Sequence, residues 1–412
     1  MTPAQGLRMS STSRTLTPSP RSHGVTRLSP LLGVLALGGT LLPTGCEDDD
    51  AMLAYMSESS QGLDASREPE PAAKRFAVGT SAYEWVDIAR AEELTPEADD
   101  VRTIVARAWY PADATSGRAP YFLNPLQAQL NAQLNGMPED AFSVLEIEAS
   151  VDAPLVSGTR QFPVLIFSPG MSTPLELYGY QLADLASRGY VILALSHPYA
   201  TGLVMFSDGR IAPELPEDPE TEVRDRSIAT WSLDQQFALS QLERLAAPGS
   251  QDRMADRLDL ARVGVFGHSR GGAAAAESCL RDARFRACAN LDGGISTLLE
   301  TQAPQQPFLL MRSEAVVPSL DAFFTRLPGP ARRVLVVGAG HNSYSDLPRL
   351  VGPLPLDPES LMLGTLAPER AFEINGAYLS AFFGAELSGT AEPLWDEPSP
   401  YPEVQVTQQG QP

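Results

Sequence analysis

The residue best suited to act as a nucleophile in this sequence is a serine between glycines. Residues 267–271, Gly-His-Ser-Arg-Gly, match the pattern G-x-S-x-G. The β-branched and aromatic run 263–266 precedes them and favours a strand, and the alanines at 273–276 favour a helix. A sharp turn between strand and helix strains its central residue and exposes the hydroxyl, and glycine lets the neighbouring backbones approach. We predict that Ser269 is a nucleophile; the alternative is a glycine-rich turn with a solvated serine.

A serine hydroxyl needs a base, and the usual base is a histidine. The chain has four histidines. His23 lies in the basic N-terminal region, and His268 is adjacent to Ser269, where the turn directs its side chain elsewhere. His341 follows the last strongly apolar run, downstream of the serine, and we predict that it is the base. His197, after an earlier apolar run, is the competitor, and the alternative for His341 is a loop histidine on a glycine-rich turn.

Two carboxylates could orient the imidazole. Asp292 follows the apolar run 287–291, and Glu314 follows the next apolar run. Both positions lie where parallel strands end at the same edge of a sheet, so spacing favours Asp292 only slightly and leaves Glu314 open.

An acyl-transfer site also needs two main-chain N–H groups for the oxyanion. Arg270, directly after the nucleophile, is one predicted donor, and Met171 in the run Ser-Pro-Gly-Met is the other. Pro169 has no amide hydrogen and Gly170 allows a tight turn, which leaves Met171 as the donor in this loop. The alternative is a plain turn between strand and helix. Met171, Phe206 and Trp231 are candidates for the apolar lining of the site.

The fold class predicted from the pattern is α/β. From residue 162 onward, continuous apolar runs alternate with helical patterns, which indicates a mostly parallel central sheet with helices on both faces in a single domain, 76–385. Residues 76–110 alternate and predict an antiparallel opening of the sheet. The proline-rich acidic stretch 204–225 is either a binding loop or lid, or a surface excursion. The C-terminal tail, 386–412, has aromatics that we expect to pack on the domain and an end that we expect to be frayed.

The first 46 residues differ from the rest. Residues 1–46 combine a basic region, an apolar run and a small-residue site, which is typical of a signal peptide. Gly45-Cys46 resembles the lipobox of bacterial lipoproteins, in which the cysteine is lipidated, so we expect an exported protein anchored at the cell envelope through Cys46; the alternatives are ordinary secretion and a cytoplasmic protein. The composition of 47–75 favours an acidic disordered tether.

Charge and cysteine usage limit the partners. The net charge of −21 argues against nucleic acid and anionic membrane surfaces, so we expect membrane contact only through the N-terminal anchor. No histidine stands at metal-ligand spacing from a cysteine, and we expect neither a metal nor a cofactor. In an exported protein, Cys279 and Cys288 suggest a disulfide; the alternative is two buried thiols.

Together the motifs resemble a known family. Phe-Ser-Pro-Gly-Met (167–171), Leu-Ala-Asp-Leu-Ala-Ser-Arg-Gly-Tyr-Val (182–191), Phe-Gly-His-Ser-Arg-Gly-Gly (266–272), Asn-Leu-Asp-Gly (290–293), Arg-Ser-Glu (312–314) and Gly-His (340–341) are similar to motifs of the platelet-activating factor acetylhydrolase family of α/β hydrolases, in the family's order. The resemblance implies Asp292 as the acid, Glu314 as a structural carboxylate and metal-independent ester hydrolysis. The Gly-His-Ser-Arg-Gly-Gly run is also similar to chlorophyllases and to dienelactone hydrolase or cutinase-like enzymes.

We therefore expect a serine carboxylic ester hydrolase acting on a small-molecule or lipid ester through Ser269, Asp292 and His341. The rivals are a cutinase-like polyester hydrolase, a chlorophyllase or dienelactone-type hydrolase, a peptidase, and a catalytically silent protein that binds a ligand at the cell surface.

Overall fold

In the part of the chain that the structure describes, ten strands form one large sheet. The computed structural model describes residues 75–97, 99–113, 117–216, 220–315, 317–390, 393–395 and 398–410. The predicted signal peptide, Cys46 and nearly all of the predicted tether lie outside the described residues.

The strands of the large sheet are β1 Ala77–Ala91, β2 Val101–Ala112, β5 Ser150–Val151, β6 Phe162–Ser168, β7 Val191–Ser196, β10 Leu258–His268, β11 Phe285–Leu291, β12 Phe308–Arg312, β13 Ala331–Val336 and β14 Val404–Gln409. They lie in the order β14-β13-β12-β11-β10-β6-β7-β2-β1-β5. Two small sheets pair β3 Ala119–Pro120 with β4 Glu146–Ile147, and β8 Val204–Met205 with β9 Ile211–Ala212.

Strands β7, β6, β10, β11, β12 and β13 run parallel, and β1, β2 and β14 add antiparallel pairs at the two sides. The parallel strands β6 and β7 are buried along their whole length, which is the consequence of covering both faces of a sheet. This arrangement confirms the predicted fold class.

Helices cover both faces. Their bounds are α1 Pro125–Leu134, α2 Gly179–Ser187, α3 Thr221–Leu245, α4 Arg270–Arg281, α5 Pro318–Arg326, α6 Leu347–Leu350 and α7 Pro368–Ser388, with short 3-10 turns at Leu175–Tyr178, Thr297–Glu300, His341–Tyr344, Pro358–Leu361 and Pro393–Trp395. Residues of α2 and α7 share one apolar core with one side of the sheet. Residues of α3, α4 and α5 share a second core with the other side.

The C-terminal tail, 386–412, contains regular structure that its sequence pattern did not predict. Helix α7 continues to Ser388, and residues 404–409, close to the end that the sequence predicts to be frayed, form β14, paired antiparallel with β13. Trp395 is buried, as expected for a tail that packs on the domain. Strand β14 has only two apolar residues, Val404 and Val406, followed by Thr-Gln-Gln, so hydrophobic periodicity did not reveal it.

The proline-rich stretch contains more structure than expected. The hairpin β8–β9 occupies its first part, and its last residues, from Thr221, already belong to α3. Glu214 in this stretch accepts a hydrogen bond from Ser172, which follows Met171. Among the described residues, no helix is both long and apolar enough to cross a bilayer.

Candidate active site

Ser269 stands at the turn between β10 and α4. Its φ of 52° and ψ of −117° are strained for a residue with a side chain, as expected of a nucleophile elbow. A Cβ at Gly267 would come within 3.0 Å of the Gly271 backbone, and one at Gly271 would come within 3.0 Å of the Ser168 carbonyl oxygen. Glycine is therefore required at both positions for the turn to close.

The structure brings Ser269, His341 and Asp292 together. The Nε2 atom of His341 lies 3.0 Å from Ser269 Oγ, and its Nδ1 atom lies 2.7 Å from Asp292 Oδ2. A carboxylate can only accept, so Nδ1–H of His341 donates to Asp292. The neutral imidazole then has its lone pair on Nε2, where it accepts the hydroxyl hydrogen of Ser269. This tautomer is the one that a base for serine needs.

Asp292 is held as an anion. Burial by itself raises the pKa of Asp292, but the hydrogen bond from His341, the electrostatic attraction of its ring and two hydrogen bonds from Ser313 outweigh it, so the pKa lies below its usual range. Ser313 donates its main-chain N–H to Asp292 Oδ1 at 2.8 Å and its hydroxyl at 2.9 Å. The Asn290 amide shapes this loop, since it accepts from Gly293 N at 2.7 Å and donates to the Gly293 carbonyl at 3.2 Å.

The competing carboxylate takes another position. Glu314 accepts a hydrogen bond from the main-chain N–H of Gly338 at 2.9 Å, in the loop that leads to His341. The two acids that sequence spacing left open are therefore separated: Asp292 contacts the imidazole, and Glu314 supports the loop before it.

The competing histidine lies in a second, buried cluster. His197 Nδ1 lies 2.8 Å from Asp234 Oδ2 and its Nε2 lies 2.9 Å from Ser168 Oγ, while Gln235 donates to the same hydroxyl at 2.8 Å. Arg102 binds both oxygens of Asp234, at 3.2 and 2.7 Å. Ser168, His197 and Asp234 are each 0% exposed, so no substrate reaches this Ser-His-Asp set.

Electrostatics stabilise that cluster. Burial lowers the pKa of His197, although the neighbouring Asp234 acts in the other direction. Because the pKa is lowered, the imidazole stays neutral. Burial works in the opposite direction on Asp234, but the Arg102 charge and the contacts of His197 outweigh it, and the pKa of Asp234 lies well below its usual range. The cluster holds Ser168, the last residue of β6, directly before the loop that carries Met171.

The main-chain N–H groups next to Met171 are already hydrogen-bonded within the protein. The amide of Gly170 donates to the Tyr178 hydroxyl, and those of Ser172 and Thr173 donate to the carbonyls of Ala200 and Gly170. Among the described residues, the Met171 amide has no hydrogen-bond partner, so this loop keeps one donor available.

Of the three candidate lining residues, two share a cluster. Met171 packs against the apolar group formed by Ala200, Ile228, Trp231, Ala273 and Ala274. The Trp231 ring also stacks on His197, with centroids 4.0 Å apart and planes 5° apart. Phe206 belongs instead to a separate group with Val204 and Ala212.

A cavity of about 440 Å³ borders the Asp292 and His341 side of the triad. Val317, Leu320 and Met362 contribute to its mostly apolar wall. This volume is within the range of sites for small organic ligands.

The elbow helix is joined to the strand of the acid. A disulfide links Cys279 near the end of α4 to Cys288 on β11. Arg270, whose amide is the second predicted oxyanion donor, directs its guanidinium to the Ser227 hydroxyl of α3, at 2.7 Å. In the part of the chain that the structure describes, no group of three metal-ligating side chains is found.

Sequence reasoning missed Tyr178, Asp234 and Arg102. Arg102 and Tyr178 lie in elements without a motif, and Asp234 is one acid in the middle of a long helix. The only available signal was His197 itself, a histidine at the end of a buried strand that needed a partner.

The serine stands at a strained elbow of a parallel sheet, and a histidine and an aspartate from the ends of other strands lie beside this serine. This combination defines an α/β hydrolase. The sequence model of "Platelet-activating factor acetylhydrolase, isoform II" matches residues 93–227 and 234–395. The chain belongs to this family.

Individual relatives agree with this assignment. The chain is 28% identical over 270 residues to a probable 1-alkyl-2-acetylglycerophosphocholine esterase of Arthroderma benhamiae, covering 59% of this chain and 65% of that protein. It is 24% identical over 234 residues to the platelet-activating factor acetylhydrolase of Canis lupus familiaris, covering 50% and 52%. The match thus spans between half and two thirds of the length of these relatives.

A solved structure matches more of the chain. The ferulic acid esterase from Streptomyces cinnamoneus superposes with a TM-score of 0.68 at 29% identity, over 82% of this chain and 98% of that one.

Proposed function

We propose that the chain is a serine carboxylic ester hydrolase that works through an acyl-enzyme. The observation that carries the proposal is the hydrogen-bond chain from Asp292 through His341 to Ser269, with the serine at positive φ on the elbow. Serine, base and orienting acid occupy the three positions that nucleophilic acyl transfer needs.

In the first half-reaction, Ser269 Oγ attacks the ester carbonyl while its proton passes to His341 Nε2. The amides of Met171 and Arg270 donate to the resulting oxyanion. Collapse of the tetrahedral intermediate breaks the bond to the alcohol, which takes the proton from His341. A water molecule then repeats the sequence on the acyl-enzyme, returns the proton to Ser269 and releases the carboxylic acid.

The substrate class that we propose is a lipid or other ester with a short acyl group. The support is the family and the names of two relatives, an esterase of a 1-alkyl-2-acetylglycerophosphocholine and a platelet-activating factor acetylhydrolase. The second candidate is an ester of an aromatic acid, favoured by the likeness to a ferulic acid esterase along most of the chain. A cutinase-like polyester substrate is a third, which rests on the elbow motif alone.

The experiment compares these substrates on the full-length protein. We expect hydrolysis of p-nitrophenyl acetate, with rates that fall as the acyl chain lengthens, and loss of activity in Ser269→Ala. Ser143→Ala is the matched control, because Ser143 is exposed and its hydroxyl bonds only to its local turn. Methyl ferulate, a short-acyl phospholipid and a polyester film separate the candidates by relative kcat/KM. Full activity in Ser269→Ala would refute the proposal.

We also propose that the protein is exported and carries a lipid on Cys46. The support is the order of the basic region, apolar run and Gly45-Cys46 in the sequence. Detergent partitioning and mass spectrometry of the N-terminal peptide test it: a lipid adduct is expected, and Cys46→Ala should move the protein to the aqueous phase. An unmodified Cys46 in the mature protein would contradict this proposal.

A further inference from the structure

Two buried side chains connect the loop of Met171 with the loop of His341. Tyr178 ends the turn Leu175–Tyr178, and His268 ends β10 directly before the nucleophile. The Gly170 amide lies 3.0 Å from Tyr178 Oη, which lies 2.7 Å from His268 Nδ1. On its other side, His268 Nε2 lies 2.8 Å from the main-chain carbonyl oxygen of His341.

The main-chain carbonyl of His341 determines the direction of each hydrogen bond in this series. A carbonyl oxygen only accepts, so Nε2 of His268 carries the hydrogen. In the neutral ring, Nδ1 is then an acceptor, and the Tyr178 hydroxyl donates to it. The Tyr178 oxygen in turn accepts from the Gly170 amide. The result is one continuous path, Gly170 N–H to Tyr178 O–H to His268 to the His341 carbonyl, in which each group has its partner.

The ring of His268 stays neutral in this position. Burial, followed by the nearby imidazole of His341, lowers the pKa of His268 to about 3. The two ring centroids are 4.7 Å apart. Because His268 carries no charge, it does not oppose the proton that His341 takes from the serine.

The loop before Met171 packs directly against these groups. A Cβ at Gly170 would lie 3.1 Å from His268 Nδ1, 3.3 Å from Tyr178 Oη and 3.4 Å from Ser269 Cβ. While the side chains of Tyr178 and His268 are in place, this loop has little room to move relative to Ser269. The Tyr178 hydroxyl oxygen also accepts the hydrogen bond of the Gly170 amide. The next amide in the loop, that of Met171, is then the one that can bind the substrate.

We propose that Tyr178 and His268 are positioning residues that hold the oxyanion donor Met171 and the base His341 in register across Ser269. Neither of them touches the substrate; both act through the main chain of the two loops. The inference rests on the proposed function, because it assigns a purpose to groups of the same site. It predicts that breaking the hydrogen bonds between Gly170, Tyr178, His268 and His341 slows acyl transfer more than it weakens substrate binding.

The test compares four variants in the full-length protein. Tyr178→Phe removes the hydroxyl and breaks the chain. His268→Gln places a donor near Nε2 and keeps the bond to the His341 carbonyl, whereas His268→Asn places polar atoms near Nδ1 and loses that bond. Tyr110→Phe is the matched control, because Tyr110 is also fully buried and its hydroxyl bonds to Ser81 at 3.0 Å and to the Ala153 carbonyl at 2.9 Å.

We expect Tyr178→Phe to lower kcat for p-nitrophenyl acetate about 10- to 50-fold, less than the loss of a whole oxyanion donor, with KM within about twofold. His268→Gln should keep more activity than His268→Asn. Tyr110→Phe should lower Tm by an amount similar to Tyr178→Phe and leave kcat unchanged. Equal kcat in Tyr178→Phe and wild type, or equal kcat losses in the two tyrosine variants, would overturn the inference.

Amide hydrogen exchange gives a result that does not depend on hydrolysis. Faster exchange at 169–173 and 338–345 in Tyr178→Phe, but not in Tyr110→Phe, would support the coupling of the two loops even in a protein without esterase activity. Exchange in Tyr178→Phe that stays at the wild-type rate in both segments would overturn it. An inactive wild type with faster exchange in Tyr178→Phe would therefore reject the proposed function alone.

Discussion

The main-chain carbonyl of Ser168 lies against the Cα of Gly271, so close that a Cβ on Gly271 would come within 3.0 Å of its oxygen. The Gly271 amide also donates to the Pro169 carbonyl at 3.1 Å. These contacts join the loop of one predicted oxyanion donor to the helix that follows Ser269. The distance between the serine and that donor thus depends on a residue without a side chain.

Gly271→Ala should therefore damage both stability and activity. The methyl group meets main-chain atoms that cannot turn away, so the loop or the elbow must shift. We expect a lower Tm and a fall in kcat of at least about tenfold, since misplaced donors weaken transition-state binding. Gly117→Ala is the control, because its nearest neighbour would be 3.9 Å away. Wild-type kcat in Gly271→Ala would refute the close packing described above.

Asp292→Asn tests which acid orients the base. The amide keeps the size of the side chain but favours the wrong tautomer of His341, and we expect kcat to fall about 10³- to 10⁴-fold. Glu314→Gln should cost less than about tenfold, since the amide oxygen still accepts from Gly338. Steady-state kinetics on both variants decides the question. A larger loss in Glu314→Gln than in Asp292→Asn would reverse the assignment.

Asp234→Asn probes the buried Ser168–His197–Asp234 cluster. The substitution leaves Arg102 with Glu92 as its remaining carboxylate partner, at 2.7 Å, in a fully buried site. Breaking a buried pair in this way costs about 3–5 kcal/mol of unfolding free energy. Urea denaturation measures it, and Asp208→Asn is the control because its pair with Arg210 is exposed on both sides. Equal small effects of the two variants would contradict a structural role for the cluster.

Glu176 makes the stability depend on pH. Burial raises the pKa of Glu176 from 4.5 to about 7, although Arg107 nearby opposes this. The folded protein then binds more protons than the unfolded chain between these pH values, so its unfolding free energy falls as the pH rises through this window. The contribution is about 3 kcal/mol at most.

Denaturation of wild type and Glu176→Gln at pH 5, 6, 7 and 8 isolates this contribution. Asp346, whose pKa burial raises to about 6, is present in both proteins and cancels in the difference. We expect the wild type to lose stability relative to Glu176→Gln as the pH rises. Parallel curves would show that Glu176 does not titrate in this range.

Local patterns were sufficient for the elbow and for the parallel strands. The glycines around Ser269 and the buried runs of β6 and β10 have conformational and burial requirements that are visible within a few residues. Elimination among four histidines then selected His341, which the structure places beside Ser269. These inferences needed no knowledge of long-range contacts.

The choice between Asp292 and Glu314 could not be made in this way. Both follow parallel strands, and only the direction of each side chain in three dimensions separates the carboxylate that meets His341 from the one that meets Gly338. The same limit applies to Tyr178 and Asp234, whose partners lie 90 and 37 residues away in the chain. Family resemblance supplied the acid, but it was silent on these supporting contacts.

Covalent labelling tests the central claim most directly. The full-length protein is treated with a fluorophosphonate, which phosphonylates an activated serine, and the modified peptide is mapped by mass spectrometry. We predict one adduct, on Ser269, that forms at the rate at which esterase activity is lost, and no adduct on the buried Ser168. Loss of esterase activity without modification of Ser269, or an adduct only on another serine, would contradict the account.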